Sequence, residues 1–254
     1  MKLNYKKLGE GQPLIILHGL FGSLDNWISL AKHWSATYEV WLVDQRNHGQ
    51  SPHSSEFSYS HMQQDLKGFI DEHNIQNPIL LGHSMGGKTV MEFSMHHPNL
   101  IKKMIVVDIA PVKYQVHHYA IIDALESIDF DFVKSRKEAD QILSEKIEEF
   151  GVRQFLLKNM YWKEKEQLAW RFNLEAIKNE IIPISEWDIS EGEFTGKTLF
   201  IKGENSEYIL PSYASRIGKK FPNYDLVEIE NAGHWVHAEV PKEFISELEP
   251  FMKD

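Results

Sequence analysis

Six short apolar runs recur along the chain with amphipathic segments between them, and this alternation restricts the fold more than any other feature. The runs are Leu14–Leu17, Val40–Val43, Ile79–Leu81, Met104–Val107, Leu199–Ile201 and Leu226–Ile229. Several are apolar at every position, as strands covered on both faces are. Between them, Trp27, Leu30, Ala31 and Trp34 fall at helical spacing, with Ser23 or Asp25 as the cap. Met62, Leu66, Phe69 and Ile70 make a second helical face that ends before Pro78. Residues 86–97, 211–221 and 241–252 read as further helices, the last two opened by a proline. Residues 3–8 read as an additional strand. The pattern predicts a parallel sheet with helices on both faces.

One segment breaks the alternation. From about 113 to 188 no strand is expected, and the sequence is charged, aromatic and helical. Neither edge carries a Pro/Gly-rich linker, so the segment reads as an insertion in one domain. The division is a core of 1–112 and 189–254 with a helical cap, or lid, over 113–188. Most of the cap's aromatic residues, Phe130, Phe155 and Trp170 among them, are expected to form a small core of its own.

A chain of 254 residues suits a single domain of this kind. It contains no cysteine, which excludes disulfides, thiolate metal sites and a cysteine nucleophile together. No signal-peptide-like stretch follows Met1–Lys7, and no segment reaches the ~20 apolar residues that span a bilayer. The expectation is a cytoplasmic protein without membrane insertion. A formal charge of −10 argues against nucleic acid as a partner.

The chemistry is concentrated in "LLGHSMGGKTV", residues 80–90. Gly82-His83-Ser84-Met85-Gly86 matches G-x-S-x-G with a strand before it and a helix after it, the context in which that pattern marks a nucleophile. The two glycines permit a turn so sharp that side chains there would collide. A hydroxyl is scarcely ionised near neutral pH and needs a base within reach. Of thirteen histidines, His234 in "ENAGHWVHAEVP" lies just after the last strand, where the order nucleophile, acid, histidine puts the base. His237 lacks the further neighbours that a metal pair with His234 would require, so no metal is expected. His83, His96, His97, His117 and His118 read as residues beside the turn, at a helix end or on an exposed face. His18 and His48 read as shaping the pocket floor. In "LHGLFGS" the backbone N–H of Leu20 is placed to form an oxyanion hole with that of Met85.

These elements, with "DQRNHGQS" after the second strand, resemble the α/β-hydrolase superfamily across nearly the whole chain. "HGLFGSLDNW", "VDQRNHGQS", "GHSMGGK", "VVDIAPV", "FLLKN", "WRFNL" and "NAGHWVHAE" are similar to its YbfF-type esterase branch. The resemblance implies about eight mostly parallel strands, a helical lid between late strands, and ester or thioester hydrolysis without a cofactor. It also implies Ser84 as nucleophile and His234 as base.

The acid departs from the commonest superfamily pattern, which places aspartate in a G-x-x-D loop after the next-to-last strand. Here the loop reads Gly203-Glu204-Asn205-Ser206, and a serine cannot hold charge against an imidazolium. Asp108, at the end of the strand next to that of Ser84, is favoured, with Glu204 as the alternative. Ser206 is a candidate fourth member, as the branch resemblance supports.

The expected reaction is acyl transfer to water from a small ester or thioester with an apolar acyl group. Lys113, Lys134, Arg136, Lys158, Lys163 and Lys165 are candidates to meet a phosphate-bearing thioester, but acids outnumber them in the cap and they read as surface. Carbon–carbon bond hydrolases, perhydrolases and acyltransferases share the machinery, and a ligand receptor on the same fold is the rival from another class.

Overall fold

Successive side chains of each apolar run pack on opposite faces of one sheet. A computed structural model describes residues 1–116, 118–165 and 167–253. The sheet contains β1 (Tyr5–Leu8), β2 (Gln12–Leu17), β3 (Tyr38–Val43), β4 (Ile79–His83), β5 (Lys103–Val107), β8 (Thr198–Gly203) and β9 (Tyr224–Ile229). Two further strands, β6 (Met160–Glu164) and β7 (Gln167–Trp170), pair with each other elsewhere. The order across the sheet is β1-β3-β2-β4-β5-β8-β9, parallel throughout except for β1 against β3.

Leu14 and Ile16 of β2 join one buried cluster, while Ile15 and Leu17 join another on the opposite face. The first face is covered by α1 (Ile28–Trp34), the short α9 (Val236–Glu239) and α10 (Pro241–Lys253), through Leu30, Trp34, Val236, Phe244 and Leu248. The second is covered by α2 (Tyr59–Glu72), α3 (Met85–His96) and α8 (Ala214–Lys220), through Leu66, Phe69, Val90, Phe93 and Ile217. Some helix starts carry side-chain caps. Ser58 accepts from the N–H of His61 at 3.3 Å, and Ser23 and Asn26 form a capping box ahead of a one-turn 3-10 helix that leads into α1.

The sheet has seven strands where about eight were expected. The additional strand read over residues 3–8 is the edge strand β1, which starts at Tyr5. Ahead of it, Asn4 accepts from the Asp44 N–H at 2.9 Å and donates from its amide to the Asp44 carboxylate at 2.7 Å. The second correction concerns the insertion between β5 and β8, which holds a hairpin as well as helices. Its strands are short; β6 ends in Lys163 and Glu164 and is mostly exposed, and β7 buries only Leu168, so neither has the continuous apolar run that marks the sheet strands.

The insertion's helices are α4 (Tyr119–Glu126), α5 (Arg136–Ser144), α6 (Phe150–Leu157) and α7 (Leu174–Ser185). Their apolar faces do not make a separate core. Ile122, Leu125, Leu143, Leu156 and Ile177 share one cluster with Phe21, Met62 and Met85, residues of the main body. The insertion is therefore seated over the carboxyl ends of the strands, where open α/β sheets bind ligands. Among the described residues no helix is long and apolar enough to cross a membrane.

The loop after β3 is held by a buried ion pair, Arg46 Nε to Asp65 at 2.6 Å, with both side chains at most 6% exposed. Removing one partner leaves a buried charge without compensation, which costs about 3–5 kcal/mol. Asp65→Asn is therefore expected to lower stability in urea denaturation by that amount, and a loss below about 1 kcal/mol would mean the pair carries little of the loop's order.

Candidate active site

The elbow is built as the spacing of its glycines predicts. Ser84 has φ +51° and ψ −115°, a conformation non-glycine residues rarely adopt and one that marks strained functional turns. Its N–H donates to the Val107 carbonyl at 3.0 Å, so the turn is fastened to the end of β5. A Cβ on Gly82 would fall 2.2 Å from the Gly86 carbonyl oxygen, and one on Gly86 would fall 2.4 Å from that of Leu17. Only glycine fits either place.

Asp108 is fully buried one residue beyond β5, with φ +51°. Its N–H donates to Ile201 O of β8 at 2.7 Å. The carboxylate accepts from His234 Nδ1 at 2.7 Å, from Gly203 N at 3.2 Å and from the Ser206 hydroxyl. Val107, the last residue of β5, is paired to Ile201, two residues before the end of β8. An aspartate after β5 therefore reaches the place that a G-x-x-D loop after β8 would supply. Glu204 is turned elsewhere: its exposed carboxylate accepts from Asn231 N at 2.8 Å.

His234 is held from several sides. His83 Nε2 donates to the His234 carbonyl at 2.9 Å, and Tyr208 stacks on the imidazole with ring centres 4.1 Å apart. Glu239 accepts from the flanking amides of Gly233 and Trp235 at 2.6 and 3.0 Å. With Nδ1–H donating to Asp108, the tautomer leaves Nε2 as the basic nitrogen. Ser84 and His234 line one cavity of about 180 Å³, together with Leu20, Phe155, Tyr208 and Trp235.

Leu20 belongs to the loop after β2. As the first residue of α3, Met85 has no intrahelical acceptor for its N–H. Among the described residues, neither N–H is spent on another acceptor. His18 and His48 fasten this loop from behind and do not line the cavity. His48 Nε2 accepts from Phe21 N at 3.1 Å while its Nδ1 donates to Arg46 O at 2.9 Å. His18 Nε2 accepts from Gln45 N at 3.0 Å and its Nδ1 donates to Gly19 O at 2.8 Å. Asn159 of the insertion donates to Phe21 O at 2.7 Å, tying the cover to the same loop.

Comparison with known proteins gives the family. The family model described as the alpha/beta hydrolase fold matches residues 12–141. Esterase YbfF of Escherichia coli is 35% identical over 260 residues, covering 100% of both chains. The chain belongs to the α/β-hydrolase family, in its YbfF-type esterase branch. The sn-1-specific diacylglycerol lipase ABHD11 of Mus musculus is 38% identical over 247 residues, 94% of this chain and 80% of that protein. A solved structure of a marine microorganism esterase superposes with a TM-score of 0.95 at 45% identity, covering 98% and 99% of the two chains.

Several residues carry more than their sequence context indicated. His83 is buried inside the site, and burial beside His234 and His237 holds its imidazole well below the ordinary range. His118, read as an exposed or helix-end residue, borders the cavity; His117 lies outside the described residues. His237 is stacked flat on Trp27 at 4.1 Å, which accounts for its burial. Among the basic residues of the insertion, Arg136 donates to the Met160 carbonyl at 2.8 Å, and Lys158 borders a separate outer cleft of about 650 Å³. Tyr208 and Lys88 also border the site, and neither stood out by composition. For Lys88 a signal existed, because it lies four residues after Ser84 and so on the same helix face.

Burial lowers His18 to about 4, and His48 and His237 to about 3. The unfolded chain then binds protons below about pH 6.5 that the folded protein refuses, so stability rises with pH across this window. The urea midpoint is expected to fall steadily from about pH 7.5 to about pH 5.5. His48→Gln, which keeps an acceptor for Phe21 N–H but does not titrate, flattens that slope. An unchanged slope would show that His48 is not held neutral by the fold.

Proposed function

We propose that this protein is a serine hydrolase that cleaves carboxylic esters or thioesters through an acyl-enzyme. The carrying observation is the hydrogen bond from His234 to the buried Asp108 carboxylate beside Ser84, in a chain whose relatives are named esterases and lipases. Ser84 Oγ attacks the carbonyl carbon as His234 Nε2 takes its proton, and the imidazolium forms against Asp108. The N–H groups of Leu20 and Met85 receive the oxyanion. Collapse expels the alcohol or thiol, which takes its proton from His234. Water, deprotonated in turn by His234, releases the carboxylic acid and restores Ser84.

Ser206 acts on this system by donating to Asp108. Its hydroxyl gives one oxygen of the buried carboxylate a donor and so helps hold that carboxylate in place against His234. The cavity walls at Ile121, Val152, Phe155 and Trp235 supply the apolar surface that an ester's hydrocarbon part requires. The insertion serves as the lid of that cavity.

Steady-state assay on p-nitrophenyl esters and acyl thioesters tests the assignment. Asp108→Asn is expected to lower kcat by about 10⁴, the loss seen when an aspartate no longer fixes the histidine tautomer. Ser206→Ala is expected to cost roughly tenfold, as one buried hydrogen bond is lost without loss of charge. Glu204→Gln leaves turnover near normal. Near-normal turnover in Asp108→Asn, or a large loss in Glu204→Gln, would overturn the choice of acid.

A further inference from the structure

Lys88 is 2% exposed, and among the described residues no carboxylate lies within ion-pair distance of its ammonium. Its one hydrogen bond is long, 3.4 Å to the Ser185 carbonyl. Three aromatic rings surround the ammonium instead, Tyr114 at 4.7 Å, Trp187 at 5.1 Å and Tyr59 at 5.8 Å from their centres. Trp187 is itself held by Glu92, which accepts from its indole N–H at 3.2 Å. Rings of this kind favour a cation but accept few of its N–H bonds. An ammonium carries three donors, so at least two lack a strong acceptor.

Lys88 lines a small inner pocket of about 40 Å³ together with Ser84, Met85, Tyr59, Tyr114 and Ser185. That volume admits about three water-sized groups at roughly 10–15 Å³ each, the size of a carboxylate at the end of a short chain. Lys88 stands in the first turn of the helix that Ser84 caps, its N–H donating to the Ser84 carbonyl at 3.0 Å, so the two residues are about one turn apart. The inner pocket and the larger cavity meet at Leu20, Ser84, His118 and Tyr208. His234 lines only the larger cavity of the two. Because the histidine must hand its proton to the leaving alcohol, the alcohol side belongs in the larger cavity and the acyl side in the inner pocket.

We infer that Lys88 makes the inner pocket a carboxylate subsite, so that the favoured substrates are monoesters or monothioesters of short dicarboxylic acids with an apolar alcohol or thiol. This rests on the hydrolase reading above and deepens it. The apolar surface expected for the acyl group then serves the leaving group. Burial lowers the Lys88 ammonium to about 7, with Asp188 acting in the opposite direction. A substrate carboxylate seated against Lys88 supplies the counter-charge that the fold leaves out. The reaction itself is unchanged: the acyl C–O or C–S bond breaks, Ser84 carries the acyl group, and water releases the free dicarboxylate.

The test compares monoethyl succinate with ethyl isocaproate, in which an isopropyl group replaces the carboxylate. The intact protein is expected to favour the succinate monoester by roughly 10–100-fold in kcat/KM, the range of one charge-assisted contact. Moving the carboxylate to the alcohol side, as in butyryloxyacetate, removes the preference. Lys88→Met and Lys88→Gln bring the ratio of the first two substrates to about one or below. The succinate monoester also competes more strongly than the isocaproate ester against p-nitrophenyl acetate in the unaltered protein, a readout that does not require either variant to fold. A ratio near one in the intact protein, or a preference that survives both substitutions, would overturn the subsite. Turnover of p-nitrophenyl acetate without any carboxylate preference sinks this inference alone, whereas absence of turnover on every ester sinks the hydrolase reading itself.

Discussion

A carboxylate with no exposure to solvent is the constraint around which this site is organised. Burying Asp108 is costly unless its oxygens are met by donors, and three arrive from different parts of the chain. Gly203 N comes from the end of β8, the Ser206 hydroxyl from the loop after it, and His234 Nδ1 from the loop after β9. Removing any of these donors leaves a buried oxygen without its partner. The same bonds hold three strand ends in register, because Asp108 is itself pinned by its N–H to Ile201 of the neighbouring strand. Structure and proposed chemistry therefore make the same demand, a charge kept ready for an imidazolium.

The other half of the site depends on histidines that do not line the cavity. The loop carrying Leu20 has no regular structure to hold it, and Phe21 within it adopts φ +57°. His18 and His48 accept from backbone N–H groups with one ring nitrogen and donate to carbonyls with the other, which neutral rings alone can do. Protonation of either would remove an acceptor and place charge in a dry region. The insertion adds a third fastening, the bond from the Asn159 amide to the Phe21 carbonyl of the loop.

Much of this was legible in the residues. Continuous apolar runs identified the sheet strands because both faces are covered, and G-x-S-x-G between a strand and a helix located the turn at Ser84. His234 followed from chain order. The substitution of Ser206 for the usual aspartate directed attention to Asp108, and the register of β5 beside β8 gives the physical reason. What was not legible arises from packing. The β6–β7 hairpin is too exposed to carry an apolar signature, and the insertion shares its core with the main body because Phe21, Met62 and Met85 reach up to it. His18 and His48 could be noticed near the pocket but not assigned to the far side of the loop, since that depends on which ring nitrogen meets which backbone group. Tyr208 was invisible because its role is a face-to-face contact with a residue 26 positions away in sequence, His234.

The proposed activation of Ser84 by His234, held by Asp108, is tested most directly by reacting the protein with a fluorophosphonate and mapping the adduct by mass spectrometry. A single adduct on Ser84 is expected, formed rapidly in the unaltered protein, far more slowly in Asp108→Asn, and absent in Ser84→Ala. An adduct on another residue, or none in a preparation that still turns over esters, would contradict it.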